Sequence, residues 1–230
     1  MVKGRLHPLT QTIDEIVHIF RGMGFEVAFG HEIETEENNF DSLNVPSDHP
    51  ARDMQDTFWL KDDPARLLRT QTSAHQVPYM KDHKMPIRMI SFGKVFRNEA
   101  TDATHEAHFY QTEGLMIEEK GKVTLAHLKG VLEHFIKEMF GDGVEIRFRP
   151  GYFPFVEPGV EVDMKFKGEW LEVLGAGMVH SKVLENGGLD SDKYAGFAFG
   201  AGVDRLMMIR HNIPDVRLSY QGDLRFVNQF

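Results

Sequence analysis

Arg97, Glu99, His105, Phe109, Gln111 and Glu113 lie within seventeen residues of one another, and together they define a chemistry. Arginine keeps its charge at any physiological pH and matches phosphate and carboxylate geometry. An aromatic face offers a stacking platform, and an amide with carboxylates can accept protons from an amine. Those are the requirements for holding ATP beside an amino acid, so the stretch predicts an amino-acid-activating site. Phe109, Gln111 and Glu113 recur at period two, which puts them on one face of a strand. A core-facing surface would not carry an amide and a carboxylate side by side. Taken in isolation, Arg97 and Glu99 would read as a charge ladder on a strand surface.

A second group is Gly200-Ala-Gly-Val-Asp-Arg205. Two glycines let backbone approach a ligand, and a following helix offers free N–H groups and a positive dipole end. A dinucleotide fingerprint needs a third glycine where Arg205 stands, and no Gly-x-x-x-x-Gly-Lys-Ser/Thr is present. For two glycines alone, close packing is an equal reading. Arg205, one turn into the helix, favours a phosphate or adenine contact. A third group, Phe153-Pro-Phe-Val-Glu-Pro158, continues to Glu161 and Asp163. Paired phenylalanines in a strand are usually core. Glu157 fits either a hard-cation ligand or a solvated turn, and spacing does not decide between them. His105-Glu-Ala-His108 lacks the His-Glu-x-x-His spacing of a zinc protease.

The 230 residues suffice for one sizeable core. No apolar run approaches the roughly 20 residues that cross a bilayer, and the N-terminus has no signal-peptide core. The absence of cysteine excludes disulfides and thiolate metal sites. The cytoplasm is the default expectation, with no membrane partner. A formal net charge of −9 and the lack of any basic run argue against broad phosphate-backbone binding; contact with an RNA would be local or carried mainly by a partner, while acidity by composition alone reads first as a solubility feature.

These groups need elements to carry them. Leu9, Ile13, Ile16, Val17 and Phe20 predict a first helix, with Thr12 and Glu15 as a capping box. Phe25, Val27 and Phe29 predict a strand, residues 30–57 a long loop or interface segment, and Phe58–Leu60 a short strand. Thr72 or Ser73 caps a helix reaching about Lys81, in which Pro78 would be a kink or an end. A strand from Ile87 to Phe96 leads into the Arg97 loop and its return. Leu125 to Met139, preceded by Thr124 and ended by Gly141 and Gly143, forms the clearest amphipathic helix. Val144–Phe148, Val160–Phe166 and Trp170–Leu174 read as strands, and a last helix runs from Gly202 to His211. Intervals between strands are too short for helical crossovers, which predicts an α+β antiparallel sheet flanked by helices.

The residues resemble a known family. Phe96-Arg-x-Glu99 with its loop and return is similar to motif 2 of the class II aminoacyl-tRNA synthetases, Gly200-x-Gly-x-x-Arg205 to their motif 3, and the first helix, strand and Pro46 to motif 1. His7-Pro-Leu-Thr-Gln-Thr12, Asn44-Val-Pro-Ser-Asp-His-Pro-Ala-Arg-Asp53, Leu68-Arg-Thr-Gln-Thr-Ser73, Phe153–Pro158 and Gly196-Phe-Ala-Phe-Gly200 narrow it to the catalytic core of bacterial phenylalanyl-tRNA synthetase alpha subunits. The resemblance implies six or seven antiparallel strands and a two-step ligase that joins L-phenylalanine to tRNA(Phe) through an adenylate, using ATP and Mg2+.

Arg97 and Arg205 would be the catalytic cations. Glu99 would take the adenine amine, Phe109 the adenine face, and His105, Gly202 and Arg205 the phosphate side. Gln71, Ser73, Gln111, Glu113 and Gly200 would surround the amino-acid head group, and Phe153, Phe155, Val156 and Ala198 the phenyl ring. Glu157 would hold a metal shared with a beta subunit. Residues 1–230 would be a single catalytic domain, without the N-terminal tRNA-binding arm or an anticodon-binding domain, and therefore weak on tRNA by itself. Assembly would be a homodimer through motif 1 or a heterotetramer with beta subunits. Pro78 and Ser181 depart from the family pattern, which normally has Arg and Pro there. The alternatives are a paralogue activating another amino acid and a non-catalytic subunit retaining the fold.

Overall fold

Pro8 fixes the start of the first helix, α1 (Pro8–Gly22), because its preset φ and missing N–H suit the first helical turn. The computed structural model describes residues 4–48 and 57–230. His7 caps α1 by accepting from the Leu9 N–H at 3.1 Å. The expected Thr12–Glu15 capping box is therefore corrected. Thr12 is buried inside the helix with its hydroxyl donating to Pro8 O, and Glu15 pairs with Arg210 at 3.0 Å.

Strand β1 is shorter than the Phe25–Phe29 alternation predicts, spanning only Glu26–Ala28; Phe29 lies beyond it, exposed, edge-on to Phe92. The expected loop at 30–57 instead contains β2 (Ile33–Thr35), α2 (Glu36–Asn39) and a 3-10 turn (Asp41–Leu43). With β3 (Trp59–Leu60) and β4 (Asp63–Leu68), β2 makes a small sheet in the order β2-β4-β3. Strands β2 and β4 are short and polar, so periodicity gave no signal for them, while β3 falls within the short strand expected at Phe58–Leu60. Pro50 and the His49–Asp53 end of the Asn44 motif lie outside the described residues.

A 3-10 turn (Thr72–His75) precedes α3 (Gln76–Asp82), and neither Thr72 nor Ser73 caps it. Pro78 falls in the first turn of α3, where a backbone donor is not needed, so the helix neither kinks nor ends there. Strands β5 (Ile87–Phe96) and β6 (His108–Glu119) form the expected hairpin, in register from Ile87↔Ile117 to Phe96↔His108. Helix α4 (Leu125–Phe140) has the Thr124 cap, closed reciprocally by His127. Strand β7 (Ile146–Phe153) starts and ends later than predicted, and β8 (Val156–Phe166) and β9 (Glu169–Val179) outrun their predicted spans; glycines and prolines interrupt the alternation, and the ladder continues past them with register shifts at Gly151/Phe153 and Val156/Gly159. After α5 (Ser181–Asn186), β10 (Tyr194–Gly202) runs straight into α6 (Val203–His211), followed by a 3-10 turn (Val216–Ser219) and α7 (Leu224–Val227).

The main sheet has seven strands in the order β1-β5-β6-β10-β9-β8-β7, antiparallel except for the β1–β5 pair. One buried cluster gathers α1, α4 and α6 residues with Phe197 and Phe199; the other gathers α3 and α5 residues with Ala198. Strand β10 thus serves both faces by simple alternation. Among the described residues, no helix is long and apolar enough to cross a membrane.

The pairing of β6 with β10 depends on Gly114, which faces Phe199 across the ladder. A Cβ on Gly114 would stand 2.0 Å from the Phe199 ring. Gly114→Ala should therefore lower stability by about 1–3 kcal/mol through overpacking, read as a reduced denaturant midpoint.

Candidate active site

Glu113 is fully buried at the centre of β6, opposite Gly200 of β10. Its carboxylate accepts hydrogen bonds from Gln76 Nε2, from the Thr72 hydroxyl at 3.3 Å and from the Ser73 hydroxyl. Thr72 and Ser73 spend their hydroxyls on this carboxylate, which is why they do not cap α3. Burial pushes Glu113 up to about 7, opposed by those three donors. Gly200 is required here: a Cβ would sit 2.9 Å from Gln111 Nε2 and 3.0 Å from Glu113 Oε2. Gln111 accepts from the Thr72 N–H at 3.4 Å, and Gln71 is anchored by its side-chain amide on Asn39 O at 3.1 Å.

These polar groups form one end of a cavity of about 360 Å3. Gln71, Ser73, Gln111, Glu113 and Gly200 all line it, and so do Phe153, Phe155, Val156 and Ala198. The Phe153 and Phe155 rings stack 6.0 Å apart, and Gly175 leaves room for the Phe153 ring, which a Cβ would meet at 2.7 Å. Phe40, Val45 and Tyr152 line the cavity too. Sequence reasoning did not select them: the first two lie in the stretch expected to be a loop, and Tyr152 is mostly exposed.

A second cavity of about 250 Å3 shares Arg97, Gln111, Gly175 and Gly200 with the first. Glu99, His105, Phe109, Gly202 and Arg205 line it as well, so every residue expected at the nucleotide is present. Arg97 and Glu99 are not on a strand, as their spacing suggested. Strand β5 ends at Phe96, and the Arg97 N–H bonds Ala107 O at 2.9 Å, adding one rung beyond the ladder. The Arg97 guanidinium lies 5.1 Å from the Phe109 ring, donates to Thr70 O at 3.2 Å and pairs with Glu99 at 3.9 Å. Burial lowers its pKa from the usual guanidinium value, with Glu99 opposing. His105 is held by Asp102 at 3.0 Å; bonds from Thr104 and His105 keep that aspartate well below the usual carboxylate range.

Three further carboxylates, Glu106, Asp204 and Glu172, line the second cavity, and none was selected as a site residue from sequence. Asp204 accepts from the Tyr110 N–H at 2.6 Å and from the Tyr220 hydroxyl, locking β6 to α6 and to the turn after it. Glu172 is raised by partial burial and by Glu161, opposed by Arg205 and Arg149. Arg205 donates to the Glu172 backbone oxygen at 2.9 Å. Only non-local pairing brings Glu172 here, so no local pattern marks it.

Glu157 is not gathered with the others. Its carboxylate is 80% exposed, 3.6 Å from His180 Nε2, and lines neither cavity. Among the described residues, no group of three or more His, Asp or Glu is placed to hold a metal ion. The two connected cavities can take an aromatic amino acid and a nucleotide, with one guanidinium common to both.

Glu113 also makes stability depend on pH. Its folded pKa lies above the ordinary carboxylate value, so the unfolded chain gives up its proton first as pH rises. The contribution is complete below about pH 4.5 and is lost as pH climbs through about 7. Glu113→Gln should flatten this fall between pH 5 and 8, as measured by urea unfolding.

Comparison with known proteins agrees with this geometry. The family described as "tRNA synthetases class II core domain (F)" matches residues 1–230. The phenylalanine–tRNA ligase alpha subunit of Synechocystis sp. is 53% identical over 228 residues, covering 99% of this chain and 68% of the relative. That of Acaryochloris marina is 54% identical with the same coverage, and that of Clostridium perfringens is 51% identical, over 99% of this chain and 69% of its own length. Among solved structures, pyrrolysyl-tRNA synthetase from Desulfitobacterium hafniense superimposes with a TM-score of 0.73 at 18% identity, covering 94% of this chain and 74% of that one, which establishes the shared fold. The chain therefore belongs to the class II aminoacyl-tRNA synthetases, as a catalytic core of the phenylalanine–tRNA ligase alpha-subunit family.

Proposed function

We propose that the larger cavity binds L-phenylalanine and the smaller one ATP, and that the chain joins them at Arg97. The observation that carries this is the sharing of Arg97 by both cavities, with Glu113 buried on one side and Phe109 on the other. One phenylalanine carboxylate oxygen attacks the α-phosphorus of ATP, an oxygen–phosphorus bond forms, and pyrophosphate leaves. A hydroxyl of the terminal tRNA ribose then attacks the adenylate carbonyl, its proton passes to the departing phosphate oxygen as the carbonyl–phosphate bond breaks, and AMP leaves. No general base is needed for the first step, since the carboxylate is already ionised. Arg97 stabilises negative charge as it builds on the α-phosphate, from a desolvated position where such a charge acts strongly. Arg205 and His105 would meet the outer phosphates, and Glu99 and Phe109 the adenine.

Class II synthetases generally depend on Mg2+, and the chemistry of the donors fits that ion. Mg2+ on a nucleotide takes one or two carboxylates plus phosphate oxygens. Glu172 is a carboxylate on the cavity wall whose backbone oxygen Arg205 bonds, and it would hold the ion with ATP's own oxygens. The ion would neutralise phosphate charge. Glu157, apart from both cavities, would serve a separate metal, at a contact with a beta subunit. Such a partner follows from the alpha-subunit relatives, as does tRNA(Phe) as substrate. Whether alpha pairs with itself or with beta, exposed Phe29, Ile33 and Trp59 offer apolar contact. The net charge of −9 confines the tRNA to local contacts, consistent with weak binding by this chain alone.

ATP–pyrophosphate exchange across the common amino acids, with the chain alone and with a beta subunit, tests the reading. Phenylalanine-dependent exchange is expected; dependence on another amino acid, or none in either assembly, contradicts it. Arg97→Ala should lose at least about 100-fold in kcat while keeping its circular dichroism spectrum. The α-ammonium needs Glu113 ionised, so KM for phenylalanine should fall as pH rises from 6 to 8 while KM for ATP does not follow. An apolar pocket resists an added hydroxyl by only about 100-fold. Ala198→Gly, which enlarges that pocket, should admit para-substituted phenylalanines; unchanged kinetics with such an analogue would refute the assignment of the ring site.

A further inference from the structure

We infer that Asn44 is a positioning residue that sets the width of the phenyl slot, an inference that rests on the larger cavity being the phenylalanine site. Asn44 closes the 3-10 turn Asp41–Leu43 in the left-handed conformation (φ 62°, ψ 30°), which asparagine tolerates better than most residues. From there its Nδ2 donates to Pro154 O at 2.7 Å, across 110 residues of sequence. Pro154 and Phe155 form the turn between the paired residues Phe153 and Val156. The other turn carbonyl, Phe155 O, accepts from the His180 N–H at 2.9 Å. The aromatic hairpin tip is thereby fixed from two sides, by one backbone donor and one side-chain amide.

The segment that carries Asn44 belongs to the same cavity. Phe40 and Val45 are both buried and line it, and the Val45 N–H bonds Phe40 O at 3.0 Å to close the segment into a tight loop. From the far side, Asn186 Nδ2 anchors this loop on Ser42 O at 2.9 Å. The amide of Asn44 is thus a direct link between the Phe40–Val45 wall and the Phe153–Phe155 wall. Apolar walls alone have no directional force that fixes their spacing; a hydrogen bond at the rim of a cavity does. Spacing decides whether a ring with a para substituent enters, so Asn44 bears on selectivity without touching the substrate.

Two variants test this in the assembly that supports exchange. Asn44→Gly keeps the left-handed backbone accessible and deletes the amide. Asn44→Asp keeps the side-chain size but aims an acceptor at the Pro154 carbonyl. For Asn44→Gly, KM for phenylalanine should rise roughly five- to tenfold, the loss of one hydrogen bond. KM for ATP should stay unchanged, and 4-chlorophenylalanine should be discriminated against less. Asn44→Asp should show the same pattern more strongly. Wild-type KM and selectivity in both variants would overturn the inference, as would equal losses for ATP and phenylalanine that track a fall in melting temperature. Lack of phenylalanine-dependent exchange in the unmutated protein would instead overturn the assignment of the cavity itself, and the Asn44 inference with it.

Discussion

A carboxylate taken out of water must be met by donors or give up its charge, and the burial of Glu113 imposes that condition on the middle of the sheet. Three donors from the Thr72–Gln76 segment meet it, which ties that segment to β6 and explains why its hydroxyls are not helix caps. Gly200 leaves the space on the facing strand into which a ligand's head group can come. Burial raises its pKa to about 7, which favours the neutral form, and a cationic ligand beside it would favour the ionised one. An empty site with a fixed negative charge there would be harder to keep folded.

From this point the geometry extends in two directions. Toward β8 and β9 the walls become aromatic and apolar, with Gly175 making room for a ring. Toward α6 they become charged, with Arg97 and Arg205 set among the carboxylates Glu99, Glu106, Glu172 and Asp204. Arg97 belongs to both regions. It is steadied by Thr70 O and by the Phe109 ring, and Thr70 is in turn held by Asn39 through both its N–H and its hydroxyl. A positively charged group locked in this way need not reorganise when phosphate charge develops beside it.

Much of this was legible in the chain. The period-two run Phe109, Gln111, Glu113 predicted a strand face, and the face exists. For Gly200 and Gly202 the sequence left close packing and a ligand contact as equal readings; the structure places them with Arg205 on the walls of the two cavities. Helix α4 was legible through its apolar stripe and the glycines that end it. What failed did so for identifiable reasons. Thr12, Thr72 and Ser73 are residue types that cap helices, and only the fold reveals which acceptor each hydroxyl serves. Strands β2 and β4 are too short and polar for periodicity to register. Glu172, Asp204 and Asn44 acquire their roles from partners remote in sequence, so no window of neighbouring residues contains the information. Glu157 shows the converse: it sits within the Phe153–Pro158 stretch whose aromatic residues line the cavity, yet its own side chain lies apart from them.

The central claim is that one guanidinium organises two substrates that meet at it. The most direct measurement is a crystal structure with a non-hydrolysable phenylalanyl-adenylate analogue. The account predicts its phosphate on Arg97, its adenine against Phe109, its ammonium at Glu113 and its phenyl ring between Phe153 and Ala198. An analogue bound elsewhere, or bound here with its phosphate away from Arg97, would contradict it.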